Sequence, residues 1–307
     1  MTLSRRRFLT IASAACLVPV AGRAARAPFR WQGVALGAKA QIVLDHPQAE
    51  RIARDALAEI ARLERVFSLH RPDTELARLN RDGLLEAPSF ALLDCLALAR
   101  RVHGLTGGRF DPTVQPLWAV LAEAGARGEA PDPARLGEAH AALGFERVRF
   151  DASAVALDPG QALTLNGIAQ GWIADAVAAR MRAAGVSDVL VDTGEIVVMG
   201  HAPDGDAWPV RLAGEAQARR FSDRALATSA SLGTVLDGER LGHILDPVGA
   251  AAAPRQVSVS APRAALADAL STALCLVPDA QQAQAICAAA PGARLEAFAE
   301  VEPSPAG

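Results

Sequence analysis

The sequence predicts an α+β protein, a mixed α/β chain without the regular alternation of a doubly wound sheet. Three observations carry that expectation. Segments of strand-like and helical periodicity follow one another irregularly along the 307 residues. A content of 51% hydrophobic against 21% charged residues supplies enough apolar surface for a large core in one or two lobes. Finally, Leu163 to Gly200 reads as one strand-glycine-helix-strand unit. In it a β-favouring run, Leu163–Leu165, meets Asn166-Gly167, and Ile168, Trp172, Ala176 and Ala179 then fall on one helical face. Gly185 marks the stop, and the apolar runs Val189–Val191 and Ile196–Met199 flank a Thr193-Gly194 turn. Asn166 is the natural cap of this helix. Its first turn would leave backbone N–H groups open to an anion such as a phosphate.

The elements follow in chain order. Ser4-Arg5-Arg6-Arg7-Phe8-Leu9, an apolar run to about Ala21 and the A-x-A pattern Ala25-Arg26-Ala27 together make residues 1–27 a twin-arginine signal peptide. Export to the periplasm by the twin-arginine route is the expectation. Ser13 stands where a lipoprotein box needs a Leu-like residue, which argues against lipidation at Cys16. The folded domain is expected over residues 28–300, with 301–307 a loose tail. Strand patterns run from Phe29 to Asp45 around a Gly-Ala-Lys connection, followed by an amphipathic helix from Pro47 to Phe67. Asp73 or Thr74 caps a short helix ending at Asn80, and a longer helix runs from Ser89 to Leu105. Pro112 opens a further helix, and residues 125–135 read as a surface excursion. Beyond the central unit, Trp208–Leu212, Ala225–Ser229, Leu241–Pro247 and Gln256–Ser260 read as strands. Helices at Pro262–Val277 and Ala280–Ala289 precede a closing strand, Ala293–Ala299.

Composition excludes some functions. A net charge of −3 and 4% aromatic residues, with no tyrosine, leave neither a basic field nor a stacking platform for nucleic acid. The four cysteines show no zinc spacing. Cys16 leaves with the signal, and an odd remainder argues against a disulfide framework. Cys95 and Cys275 sit in apolar helical runs as buried free thiols.

Chemistry concentrates late in the chain. On the helix from Pro262, Leu266, Leu270, Leu274 and Val277 form an apolar stripe, while Asp268, Ser271 and Thr272 share the opposite face. A carboxylate with hydroxyls suits Mg²⁺, which takes oxygen ligands and keeps places for phosphate. A solvated face with an incidental Asp is the plainer reading of this helix alone, although the flanking alanines point to close packing on both sides. His243 in an apolar strand is either a satisfied structural residue or a site residue. Glu195 is either a strand-edge charge or a group facing a cleft. Asp111 could simply cap a helix.

Taken together, FSLHRPDTELARLN, TGGRFDPTVQPL, LNGIAQGW, VDTGEIVVMG, LATSAS, HILDPVGA and SVSAPRAALADALSTAL resemble, in order and spacing, the FAD:protein FMN transferase family (ApbE flavin transferases). The resemblance covers nearly the whole chain after the signal. GIAQG and DTGEI look most like the subgroup associated with nitrous oxide reductase maturation. It implies an ApbE-like flavin transferase fold, a single compact unit with two lobes around a cleft. It implies an enzyme that cuts FAD with Mg²⁺ and attaches FMN by a phosphoester to a Thr of an exported acceptor, of which a membrane-bound electron-transfer protein is one form. Gly167 would offer a carbonyl to Mg²⁺, with Asp268, Thr272 and Ser271 completing the ligands. Leu36, His70, Arg109, Phe110, Asp111, Thr164, Gln170, His243 and Ile244 would line the FAD site, and His243 or Asp268 would take the acceptor's proton. The chain departs from the commoner pattern where Gln170 replaces Lys, His70 replaces Tyr, and Glu195 stands where a second Gly is frequent. An Mg²⁺-dependent FAD pyrophosphatase and a non-catalytic periplasmic FAD-binding protein are the alternative readings.

Overall fold

Strand Ile42-Val43-Leu44 sets the layering, because its alternate side chains enter two different cores. The computed structural model describes residues 28–35, 38–236, 242–249 and 255–301, so residues 1–27, expected to be a signal peptide, Leu36 and the tail beyond Val301 lie outside the described residues. In chain order come β1 (Phe29–Ala35), β2 (Ala38–Leu44), α1 (Ala49–Phe67), α2 (Glu75–Asp82), β3 (Leu84–Glu86) and α3 (Phe90–Leu105). A 3₁₀ turn, Pro112–Val114, leads into α4 (Gln115–Arg127), α5 (Pro133–Ala141), β4 (Arg149–Phe150) and β5 (Ala154–Ala156). Next are α6 (Ala169–Ala183), β6 (Val189–Asp192), β7 (Ile196–Met199), β8 (Trp208–Val210), β9 (Arg219–Phe221) and β10 (Arg224–Ala230). The chain closes with β11 (Arg255–Ala261), α7 (Ala264–Leu274), α8 (Ala280–Ala289) and β12 (Arg294–Glu300).

The main sheet has seven strands in the order β1-β2-β6-β7-β10-β11-β12, every neighbouring pair antiparallel. On one face Ile42, Leu44, Val189, Val191, Val257 and Val259 share the principal core with α1, α3, α6 and α7. On the other, Val43, Leu190, Ile196 and Val198 are covered by Trp208, Val210 and Phe221 of the β8-β9 hairpin. Both faces of β6 and β7 are therefore buried, which is why these strands read as continuous apolar runs. A smaller core joins α4 to α5 through Leu117, Val120 and Ala139, with Leu245 against it. The α+β expectation holds, and the cleft opens between this second lobe and the main sheet with its helices. Among the described residues no helix is long and apolar enough to cross a membrane.

Several local expectations need correcting. Residues 125–135 are no simple excursion, since α4 runs to Arg127 and Asp132 caps α5 by accepting from the Ala134 N–H at 2.8 Å. Leu163–Leu165 is not a strand, because its backbone pairs elsewhere. The Asn80 amide bridges Leu163 N–H and C=O at 2.7 and 2.8 Å, and Thr164 N–H donates to the Pro112 carbonyl at 2.8 Å. Of the expected strand Leu241–Pro247, Leu241 lies outside the described residues, and among the described ones Gly242 makes an isolated bridge to Val235 before a turn. Cys95, Cys275 and Cys287 are buried free thiols, as the odd count implied.

Candidate active site

Helix α7 is alanine-rich because it is packed on all sides. It lies on β10 and β11 and is crossed by α6 and α3. The backbones of α6 and α7 approach so closely that a Cβ on Gly171 would stand 2.4 Å from the Ala264 carbonyl oxygen. The N-terminus of α7 is held by Asp175 of α6, which accepts from Ala264 N–H at 2.6 Å and Ala265 N–H at 3.1 Å. Beyond its other end, buried Arg255 donates to the carbonyls of Val277 and Pro278 at 3.1 and 2.5 Å. This packing disposes of a solvated face. Asp268 is 3% exposed and Ser271 fully buried, while Thr272 reaches the cleft.

Asp268 Oδ2 accepts the Gly171 N–H at 3.1 Å, and the Ala169 N–H donates to the Leu165 carbonyl at 2.8 Å. The first turn of α6 is thus partly spoken for, and its cap position falls at Ile168 rather than at the exposed Asn166. The expected open row of donors is reduced because α7 brings a carboxylate to it. Burial pushes the Asp268 carboxyl up to about 7, opposed by the Gly171 N–H and reinforced by the charge of Asp175. Ser229 on β10 ties the hydroxyls together, its Oγ lying 2.8 Å from Ser271 Oγ and 3.2 Å from Thr272 Oγ1. Ser271 Oγ also donates to the Asp268 carbonyl at 3.0 Å, so its hydroxyl faces inward rather than into the cleft.

The cleft, about 310 Å³, gathers most of the residues singled out in the sequence. His70, Arg109, Phe110, Asp111, Thr164, Gly167, Gln170, His243, Ile244, Asp268 and Thr272 all line it. Leu36 lies outside the described residues. Arg109 is braced by a 3.3 Å bond from Nε to the Leu276 carbonyl. The Asp111 carboxylate accepts from Thr113 N–H at 2.7 Å, Thr113 Oγ1 at 2.5 Å and Phe145 N–H at 3.2 Å, so it shapes the wall by capping. His243 Nδ1 lies 3.2 Å from both the N and the O of Thr234, and burial lowers its pKa. The sequence reading missed Ser229 and Trp118 in the lining, although Ser229 sits in the LATSAS segment that carried the resemblance. Glu195 proves to face the cleft and is only 3% exposed. Burial first, then the charges of Asp268 and Asp192, holds its carboxyl well above the usual range.

The donor chemistry fits a hard cation. Asp268, Thr272 and Ser229 bring oxygens to one end of the cleft, and Glu195 Oε2 is buried there without a partner. Gly167 closes this cradle: a Cβ there would lie 2.9 Å from Thr272 Oγ1, so only glycine lets its turn sit on that hydroxyl. Elsewhere among the described residues, ligand atoms of His103, Asp111 and Glu146 lie within 4.8 Å of one another. Asp111 already accepts three hydrogen bonds as a cap, so that group is a structural knot.

Comparison with known proteins identifies relatives of the chain and of its fold. A 197-residue stretch is 32% identical to the FAD:protein FMN transferase of Vibrio cholerae, spanning 59% of this chain and 59% of that protein. The FAD:protein FMN transferase of Treponema pallidum is 29% identical over 296 residues, covering 83% of this chain and 79% of its own length. The structure of the flavin transferase ApbE from Vibrio cholerae superposes with a TM-score of 0.74 at 26% identity, over 91% of this chain and 98% of the other. Residues 36–297 match the ApbE family as a whole. On that match and the shared architecture, the chain belongs to the ApbE family.

Proposed function

We propose that this protein is an FAD:protein FMN transferase that cleaves FAD with Mg²⁺ and esterifies FMN to a Thr of an exported acceptor. The observation that carries the reading is the convergence of buried Asp268, Thr272 and the Gly167 turn at one end of a cleft walled by Arg109, Phe110, Gln170 and Ile244. Asp268, Thr272, Ser229 and the Gly167 carbonyl would hold the cation, with Ser271 bracing Ser229 from behind, and the bound cation would neutralise pyrophosphate charge. Arg109 adds a fixed guanidinium to the same task. The acceptor Thr oxygen attacks the FMN-side phosphorus, the P–O bond to AMP breaks, and AMP leaves with that electron pair. The Thr proton passes to Asp268 in this scheme. His243 is the less suited base, because Nδ1 is already turned to the Thr234 backbone. In this reading His70, Thr164 and Ile244 position the flavin side of the substrate, with Leu36 joining them.

The twin-arginine leader supports export of the folded enzyme to the periplasm, where its acceptor would also reside. Arg5→Lys with Arg6→Lys should retain the protein in the cytoplasm.

Incubation with FAD, Mg²⁺ and a Thr-bearing acceptor domain should add one FMN phosphoryl unit to the acceptor's mass and release AMP. Asp268→Asn should lower the rate by about 10³-fold or more, as expected for loss of a charged group that acts in the transition state. An unmodified acceptor alongside a working control enzyme refutes transfer. Free FMN appearing without acceptor would assign the hydrolytic activity instead.

A further inference from the structure

The most exposed contradiction in this cleft is Glu195. It follows the Gly194 turn and immediately precedes β7, where β10 runs on past the pairing of Leu226 with Ile196. The Thr228 backbone N–H, left without a β7 partner, favours the charged form of Glu195. That backbone dipole is the one favourable influence among the groups acting on the carboxylate. Oε2 is buried and has no hydrogen-bond partner, on a residue that is 97% removed from solvent. Buried carboxylate oxygens are kept in folded proteins when something answers them. No cationic side chain figures among the groups that act on Glu195; its charged neighbours are Asp268 and Asp192, which repel it.

We propose that Glu195 is a further residue of the cation end of the cleft. Its free Oε2 takes the cation or a cation-bound water and supplies a second negative charge beside Asp268. Mg²⁺ keeps several waters when it binds carboxylates, so an acceptor-only oxygen close to the first ligand has a partner in that shell. The role is one of holding and orienting, and the inference rests on the cation site assigned under the proposed function. It extends that site to a strand the helix pattern of the sequence does not reach.

The test uses Mn²⁺ as an EPR-visible probe with the full folded chain and no flavin. Glu195→Gln keeps the shape but removes the charge. Its Mn²⁺ dissociation constant should rise about tenfold or more, the range seen when outer partners of metal sites are removed. Glu195→Asp retains the charge and should stay nearer to wild type than Glu195→Gln. A smaller loss in the Gln variant overturns the proposal, and so does an equal loss in both variants, which would trace the effect to packing. Should the Gln variant fail to fold, Mn²⁺-dependent thermal shifts of wild type, Glu195→Asp and Glu195→Ala decide. A shift kept in the Asp variant and reduced in the Ala variant supports the role, and equal shifts in all three overturn it. Wild type that binds no Mn²⁺ would instead bring down the cation site itself, a result distinct from tight binding that ignores Glu195.

Discussion

Gly171→Ala tests how closely the two central helices must approach. The added Cβ would stand 2.4 Å from the Ala264 oxygen, 2.5 Å from its carbonyl carbon and 2.7 Å from Ala265 Cα. All three are backbone atoms, so no side-chain rotation relieves the overlap. Restoring ordinary contact requires α6 and α7 to part by about 1 Å. Overpacking of a buried site costs about 1–3 kcal/mol. The same displacement weakens the Gly171 N–H bond to Asp268, a charge-assisted bond contributing about 1.5–3 kcal/mol. The helix preference of Ala over Gly returns about 1 kcal/mol. The expected net loss is therefore about 2–4 kcal/mol, read by urea unfolding, together with loss of flavinylation as Asp268 moves. Gly167→Ala makes the contrast, because its Cβ meets side-chain atoms rather than backbone, Thr272 Oγ1 at 2.9 Å, Cγ2 at 3.0 Å and Cβ at 3.2 Å. Thr272 has only to give by a few tenths of an ångström, so stability should fall by about 1 kcal/mol, less than in Gly171→Ala, while Mn²⁺ affinity falls. If Gly171→Ala unfolds within about 0.5 kcal/mol of wild type, the helix spacing is not what fixes the carboxylate, and the reasoning fails.

Further outcomes follow from the buried carboxylates. Burial raises Asp268 to about 7 and Asp192 to about 6, with Glu195 and Asp175 shifted in the same direction. The folded protein thus holds protons that the unfolded chain releases, and cation-free stability should fall as pH rises from about 4 to 7. Asp268 alone accounts for a change on the order of 4 kcal/mol across its shift. His243, shifted downward, acts the other way but is outnumbered, and the lowered surface carboxylates such as Glu123 act below this window. Unfolding midpoints at pH 5 and pH 8 without metal would show the fall, and Mg²⁺ at pH 8 should recover it; equal midpoints would contradict the burial argument. Asp175→Ala should cost about 1–2 kcal/mol by uncapping α7, measured by thermal unfolding, with a neutral result refuting its capping role.

Much of this architecture was legible in the residues. Ile52, Ile60, Leu63 and Val66 face the core as their helical spacing demanded, and Thr74 caps α2 by accepting the Ala77 N–H at 3.1 Å. The cleft residues were legible for another reason: short motifs far apart in sequence carried the resemblance, and the sheet brings them together. What stayed hidden depends on partners distant along the chain. Asp268 looked like a surface residue opposite the apolar stripe of its own helix, and only the flanking alanines pointed to the close approach of α6. Leu163–Leu165 has β-favouring side chains, yet Asn80, 83 residues earlier, takes its hydrogen bonds. Glu195 followed no periodicity at all, since it sits at the turn before β7 begins, beside the stretch of β10 that runs on past that strand.

The anchoring of α7 has a mechanical consequence. Asp175 grips its first turn and Arg255 the chain just past its last, so Asp268 and Thr272 ride on a strut immobilised at both extremities. That side of the cavity cannot yield to an incoming molecule. Any adjustment to the bulk of a dinucleotide or to an approaching polypeptide must be made across the gap, by Gln115 to Trp118 and by the His243–Gly249 turn. The enzyme would then work as a vice with one fixed jaw.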